Sequence, residues 1–390
     1  MTWPAPPMRS RGDVHVSSLN GVRGYLQPSV WCFDQSTRKL LWEFETHSTG
    51  TICIATDGSD VYVGRQRNSQ NYCGNATIWK IDGQTGAQMW AIEAGFPTCL
   101  ACANGILYAA IDGVVQRINR HTGQVIGELT LESLIPDVPG NHVDYITPAG
   151  GDLILYGLFY YLFPPDTYEV HDMVRVTSGG TLVWGWVTSG MPMTQPRIGT
   201  DGRIYTPTST LLQSNDPDTP TNELIVSSRI GFGIVQDPFL SVADQGDSLF
   251  GVLNPSLLRG DYLSEDPPDT FYHVFGMDKD QLIDVDTVGA DIGQRADWYQ
   301  FAADGGFVAN DMIVAGSDLV VVGEETVGDF EYAVGRAYGL DPATGAIRWS
   351  WSPCGFQALP IFVELASGFS RVIDLGGGHL VVTGARHTAH

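Results

Sequence analysis

Cys99 and Cys102 stand three residues apart, the spacing of a zinc-binding or redox pair. They fall in a run that reads as a strand, where residues three apart face opposite sides. No second pair follows at ligand spacing, so both read as core thiols. Asp278-x-Asp280 opens like a calcium loop, but Ile283 stands where glycine is required and Gly289 where glutamate is required, which rejects that reading. Acidic residues gather in three further places: Asp216, Asp218 and Glu223; Asp261, Glu265, Asp266 and Asp269; Glu324, Glu325, Asp329 and Glu331. Hard oxygen ligands of this kind suit Ca²⁺, but no spacing repeats, so they read as solvated loops and no metal is expected. Residues 157–173 carry Phe159, Tyr160, Tyr161, Phe163 and Tyr168, an aromatic excursion suited to contact with a protein partner. The competing reading continues a strand through Phe159, Tyr161 and Phe163 into a long hairpin that packs inward. With Asp261 and Glu265, these aromatics are the candidate binding residues. His387 and His390 read as tail residues, and Arg11-Gly12-Asp13 as a chance adhesion tripeptide. There is no Gly-x-Ser-x-Gly, phosphate loop or His-Glu-x-x-His. No catalytic residue and no cofactor is assigned.

What must position any such site is a repeated strand, a turn followed by alternating apolar residues. Its copies run through Val61, Ile106, Leu153, Ile204, Leu249, Leu319 and Leu380, and the first four steps are 45, 47, 51 and 45 residues. That period means repeated units that cannot bury their apolar faces alone. A second motif follows most copies: an apolar strand, Asp-x-x-Thr-Gly, then a strand with Trp eight residues after the Asp. Its copies span Asp34 to Trp42, Asp82 to Trp90 with Gly86, Asn119 to Gly127 with Gly123, and Asp341 to Trp349 with Gly345. Weaker copies are Thr177 to Trp184 and Asp278 to Asp284. Asp or Asn opens a tight turn by accepting backbone N–H groups, and Gly supplies positive φ. Trp on the outgoing strand can fill a gap between sheets. Arg38 replaces the Gly in the first copy, and that turn should be strained.

These residues resemble the pyrroloquinoline-quinone (PQQ)-type propeller repeat, with full matches at Asp82–Trp90 and Asp341–Trp349. The resemblance implies an all-β, seven-bladed β-propeller of four-stranded antiparallel blades, with eight blades as the alternative. Labelling strands A to D from the axis outward, an arm at 1–12 precedes blades at about 13–47, 51–93, 98–131, 143–187, 194–235, 239–286 and 300–352. Residues 13–16 would be strand B of the first blade, and 360–383 would pair with that blade and close the ring. The long insertions, 64–77, 157–173, 206–225, 251–272 and 323–336, all fall between B and C in this frame. They would crowd one face, opposite the Thr-Gly turns.

The chain has 390 residues, 43% of them hydrophobic, with 46 Gly and 22 Pro, a composition that fills a core and turns often. Its net charge of −23 repels phosphate backbones and anionic lipid, so no nucleic-acid or membrane partner is expected. Met1 to Ser10 shows no apolar run of a secretory signal, and the six cysteines are too sparse for a disulfide framework. Among proteins with this repeat, the quinone-dependent dehydrogenases imply an axial cofactor, Ca²⁺, an Asp base and adjacent cysteines. This sequence has no adjacent cysteines, and none of those residues carries over. The expected role is a non-catalytic subunit of a larger assembly, most of all a virion component such as a phage tail nozzle, adaptor or adhesion part. Partners would be protein subunits, homo-oligomers included, bound through the B–C face and the termini. The alternatives are a cellular scaffold, placed in the cytoplasm, and a quinone-dependent or carbohydrate-active enzyme.

Overall fold

The computed structural model describes residues 15–16, 24–46, 52–65, 77–129, 142–163, 167–186, 192, 194–208, 211–218, 223–227, 239–253, 272–284, 295–301, 307–327, 332–353 and 365–389. The repeated apolar strands are the second strands of their sheets. Each carries two or more buried apolar side chains in succession, and Tyr62, Tyr108, Tyr156, Tyr205 and Phe250 are fully buried there. A strand with a sheet packed on both faces has no solvent side, which explains why its apolar residues do not alternate with polar ones.

Seven antiparallel sheets result. Blade two consists of Ile52–Thr56, Asp60–Arg65, Ile78–Asp82 and Gln88–Ile92, and blade three of Pro97–Ala103, Ile106–Ile111, Val114–Asn119 and Val125–Glu128. Blade four is His142–Ala149, Asp152–Phe163, Thr167–Thr177 and Leu182–Trp186. Blade five is Arg197–Ile198, Ile204–Pro207, Leu211–Asn215 and Glu223–Ser227, with Ile283–Asp284 added outside. Blade six is Phe239–Gln245, Ser248–Leu253, Tyr272–Asp278 and Trp298–Phe301, and blade seven is Phe307–Ala315, Asp318–Val327, Tyr332–Leu340 and Ile347–Trp351.

Blade one closes the ring. Its two inner strands come from the end of the chain, Leu365–Gly376 and His379–Ala389, and its two outer strands are Gly24–Asp34 and Leu40–Glu45. Gly24–Asp34 pairs with His379–Ala389 along its whole length, from Gly24 opposite Ala389 to Asp34 opposite His379. Residues 13–16 are therefore not strand B of this blade: His15–Val16 pairs with Tyr25 and Gly24 instead. The closing segment supplies two complete strands and extends beyond residue 383. Hydrophobic clusters join every neighbouring pair of blades round the circle, including blade seven to blade one through Trp31, Phe33, Val320, Trp349, Trp351 and Leu380.

The insertions follow the sequence reading only in part. Residues 157–173 take the competing form, a long hairpin: the B and C strands of blade four lengthen, pairing Phe159 with His171, Tyr161 with Glu169 and Phe163 with Thr167. Within 206–225 lies strand C itself, Leu211–Asn215, because Asp216-Pro217-Asp218 replaces the Thr-Gly turn; Asp216 Oδ1 accepts from Asp218 N at 2.8 Å. In blade six, Tyr272–Asp278 pairs with Trp298–Phe301 rather than with residues near Asp284, so residues 279–297 are inserted between C and D. Excursions thus emerge on both faces, and the single decorated face is corrected. Glu325 is not in a solvated loop either, since it accepts from Arg336 Nε at 2.8 Å and Tyr338 Oη at 2.9 Å inside the blade-seven hairpin. Asp261 and Glu265 lie outside the described residues, as does the arm at 1–12; the C-terminal end, also expected as a contact, is paired within blade one as far as Ala389. Among the described residues, no helix is long and apolar enough to cross a membrane.

Candidate functional site: the joints and the axis

Two sets of residues do the polar work of this ring, one at its rim and one at its centre. At the rim, the turn motif acts as predicted within each blade. Asp82 Oδ1 accepts from Gln84 N at 3.0 Å and from Thr85 N and Thr85 Oγ1 at 2.8 Å; Asn119 Oδ1 accepts from His121 N at 2.9 Å. Asp34 and Asp341 do the same for Thr37 N and Ala343 N. These hydrogen bonds favour the ionised form: the bond from Ser36 and those from Thr37 hold Asp34 well below the usual carboxylate range.

The larger role of the motif lies between blades. The Trp of one blade donates to the carbonyl just after the turn-opening residue of the next: Trp42 Nε1 to Gly83 O at 2.9 Å, Trp90 to Arg120 O at 3.1 Å, Trp184 to Pro217 O at 2.6 Å and Trp298 to Pro342 O at 2.9 Å. The indole also lies against the turn glycine, so a Cβ on Gly86 would meet Trp42 at 2.7 Å, and one on Gly345 would collide with Trp298. Both glycines have positive φ, 72° and 70°. Gly345→Ala therefore meets strain and a clash together and should lower stability by about 2–3 kcal/mol; Trp298→Phe, which loses mainly one hydrogen bond, should lose about 1 kcal/mol. Chemical denaturation of both variants checks the order.

The joint of blade seven with blade one departs from this pattern. Arg38 takes the glycine position with φ 59°, as the sequence suggested it would, and stacks 4.7 Å over the Trp349 ring. Its Nη1 donates to Gln35 O, the carbonyl that the pattern reserves for the indole. Trp349 Nε1 donates instead to Asp318 Oδ2 at 2.6 Å.

A second recurrent carboxylate opens the turn before strand B. Asp57 accepts from Asp60 N at 2.9 Å, Tyr62 Oη at 2.9 Å and Arg120 Nη1 of the next blade at 3.1 Å. Burial pushes its pKa up, but the hydrogen bonds from Asp60, Ser59 and Tyr62 outweigh that and bring it down to about 2. A folded value below the unfolded one gives stability that is complete above about pH 4 and is lost as pH falls towards 2, roughly 2 kcal/mol in all. Asp57→Asn should flatten the acid limb of a stability-against-pH curve by about that amount.

The centre is formed by the first strands. Those of blades one, two, three and four touch in turn, as do those of six, seven and one. Five of them bulge at one matching place, at Thr98, Asp144, Leu240, Asn310 and Ser370. A bulge re-aims the side chain beyond it. Pairing resumes at Cys99, Tyr145, Ser241, Asp311 and Arg371, each opposite the fifth residue of its sheet's second strand; Cys53, opposite Gly64, matches them without a bulge. One level of the axis thus collects a residue from each of six blades, and Arg197 of blade five reaches the same level.

Asp311 is the hub. It is 1% exposed. Its Oδ1 accepts from Arg197 Nη2 at 2.8 Å and Ser241 Oγ at 2.6 Å, and its Oδ2 from Val372 N at 3.0 Å. Arg197 also donates to Met312 O. One carboxylate therefore ties the inner strands of blades five, six, seven and one. On the far side, burial pushes the Cys99 thiol up to about 11, with Arg371 and a bond to Ile146 O opposing. Burial raises Cys53 and Tyr145 too, again against Arg371. Thiols held protonated are poor nucleophiles and poor metal ligands. Cys102 packs in the cluster between blades two and three while Cys99 packs in that between three and four, so the pair faces opposite ways as its spacing implied. Among the described residues, no group of three or more His, Cys, Asp or Glu is placed to hold a metal.

Sequence reading placed the turn residues and Trp42, Trp90, Trp184 and Trp349, but missed Trp298 and the whole axial level. The axial residues share no type, and the bulges break the alternation that would have marked them. Their only signal is position: each lies opposite the same point of the repeat.

A family model described as outer membrane protein assembly factor BamB matches residues 5–154. Over that stretch the repeats are similar to those of the PQQ type. Among solved structures, BamB from Moraxella catarrhalis is similar at 12% identity and TM-score 0.44, covering 89% of this chain and 88% of that one. The dihydro-heme d1 dehydrogenase NirN, in complex with DHE, is similar at 12% identity and TM-score 0.49, covering 88% and 75%. The Pan2 WD40 domain of Neurospora crassa is similar at 11% identity and TM-score 0.48, covering 86% and 88%. No curated protein matches this chain by sequence.

Proposed function

We propose that this PQQ-type propeller is a non-catalytic, protein-binding subunit of a larger assembly, with a virion tail as the assembly we favour. The observation that carries the reading is the state of Asp311. A general base needs a free lone pair facing substrate, and this carboxylate is buried under donors from three other blades. The neighbouring thiols and phenol are held in their neutral forms by burial. The centre is thus employed as a fastening, which leaves the outer surfaces for binding. Similarity over residues 5–154 to a family of assembly factors supports a protein-binding role. The strongly acidic surface favours protein partners over nucleic acid.

Two measurements test this. Purified native particles should contain the chain in ring-symmetric copies; a monomer absent from such particles contradicts the virion assignment. Dye-linked alcohol oxidation after loading with quinone and Ca²⁺ should stay at background, and turnover abolished by an axial substitution would contradict the non-catalytic reading.

A further inference from the structure

Two blades lack the outer-strand tryptophan. In blade three Gly127 stands in its place, and in blade five Glu223–Ser227 contains none. Blade five completes its rim from within the chain. Ile283–Asp284 adds as a fifth, antiparallel strand, with Ile283 opposite Ile225 and Asp284 opposite Leu224, and the preceding Leu282 is buried in the joint with blade six.

Blade three has no such cover among the described residues. Val125–Glu128 ends its sheet and is exposed at every residue. Val125 and Ile126 are 44% and 47% exposed, and Ile126 sits at a bulge that turns it outward. A Cβ on Gly127 would meet nothing within 4 Å, whereas the joints at Gly86, Gly123 and Gly345 are filled by an indole. An edge strand presents a row of unpaired N–H and C=O groups, and apolar side chains beside them invite another strand.

We propose that the outer edge of blade three, Val125–Glu128, receives a fifth strand from a basic partner protein, with apolar residues set against Val125 and Ile126 as Leu282 is set against blade five. The occupant follows from charge. A chain of net charge −23, with Glu128 on the edge itself, repels a second copy and attracts a cationic segment. This surface deepens the protein-binding reading and rests on it.

The chain's own covering segment supplies the probe. A labelled peptide copying residues 279–285 with both aspartates replaced by lysine, Lys-Lys-Gln-Leu-Ile-Lys-Val, is titrated into the full chain, alongside a version with proline in place of the leucine. The expected result is binding that weakens with salt, is lost with the proline peptide, and protects the amides of 125–128 from hydrogen exchange. Ile126→Lys, an exposed substitution, should weaken it about tenfold or more, and so should Val125→Lys; Val183→Lys, at the matching exposed position of blade four, should leave it unchanged. Protection at 223–227 alone, equal binding by both peptides, or no protection at millimolar peptide would overturn the proposal. So would concentration-dependent dimerisation abolished by Ile126→Lys, which would make a second copy the occupant. Absence from particles with peptide binding intact would fault the virion assignment alone.

Discussion

Replacing Asp311 with alanine should cost about 3–5 kcal/mol, the largest loss expected from any single substitution at the axis. Removing the carboxylate leaves Arg197, Ser241 Oγ and the Val372 N–H without their acceptor. A cation stranded beside a buried site costs far more than the pair contributes, because desolvation of the remaining charge is no longer offset. Asp311→Asn keeps the shape and one acceptor oxygen but loses the charge, and should cost about half as much. The companion variant Arg197→Met removes the charge along with its partner. In the double variant Arg197→Met/Asp311→Asn the two losses should add to less than their sum, since the second change removes a group the first had stranded. Urea unfolding of the four proteins measures the coupling. Strict additivity would show that the axis does not act as one unit.

Deleting residues 365–390 should abolish cooperative folding altogether. The segment contributes both inner strands of blade one and buries Val372, Leu375, Leu380, Val381 and Val382. Each such side chain is worth about 1.5–3 kcal/mol, so these five alone match the entire net stability of a typical fold, about 5–15 kcal/mol. The loss also bares the edge of Gly24–Asp34 along its full length and leaves Val372 N absent from Asp311. The truncated chain should aggregate, and its near-ultraviolet dichroism should vanish. Folding with native-like cooperativity would show that closure is dispensable.

How much of this could be read from the sequence depended on whether a feature was local. The repeated apolar strand is buried in every blade, so the copies at Val61, Ile106-Leu107, Leu153, Ile204, Leu249, Leu319 and Leu380 announce it with little ambiguity. Turns opened by Asp34, Asp82, Asn119 and Asp341 were legible because the capping bonds lie within three residues. Where the turn chemistry changed, the reading failed. Asp216-Pro217-Asp218 hid strand C of blade five, and the excursion after Asp278 concealed Trp298 as the true fourth strand of blade six. The closing blade differs because His15–Val16 joins its sheet only at Tyr25 and Gly24 while His379–Ala389 fills the B position, a choice made by tertiary contact rather than by propensity. The axial level was invisible for another reason. A hub such as Asp311 is defined by which strands converge on it, and nothing local distinguishes it from the acidic residues around it.

Closure of the ring by blade one, which joins early and late strands of the chain, holds every joint in place, and a single engineered cross-link tests it. Cys32 and Val381 are opposed in the pairing of Gly24–Asp34 with His379–Ala389, and both are fully buried in the same cluster. Opposed Cβ atoms in such a pair lie about 4.5–5.5 Å apart, close to the reach of a disulfide. In Val381→Cys under mild oxidation, peptide mapping should find an intramolecular bond between residues 32 and 381, with a raised unfolding midpoint that reduction reverses. Failure of that bond to form in the folded protein, or its formation only between molecules, would contradict the closed seven-bladed ring and every role assigned to its joints.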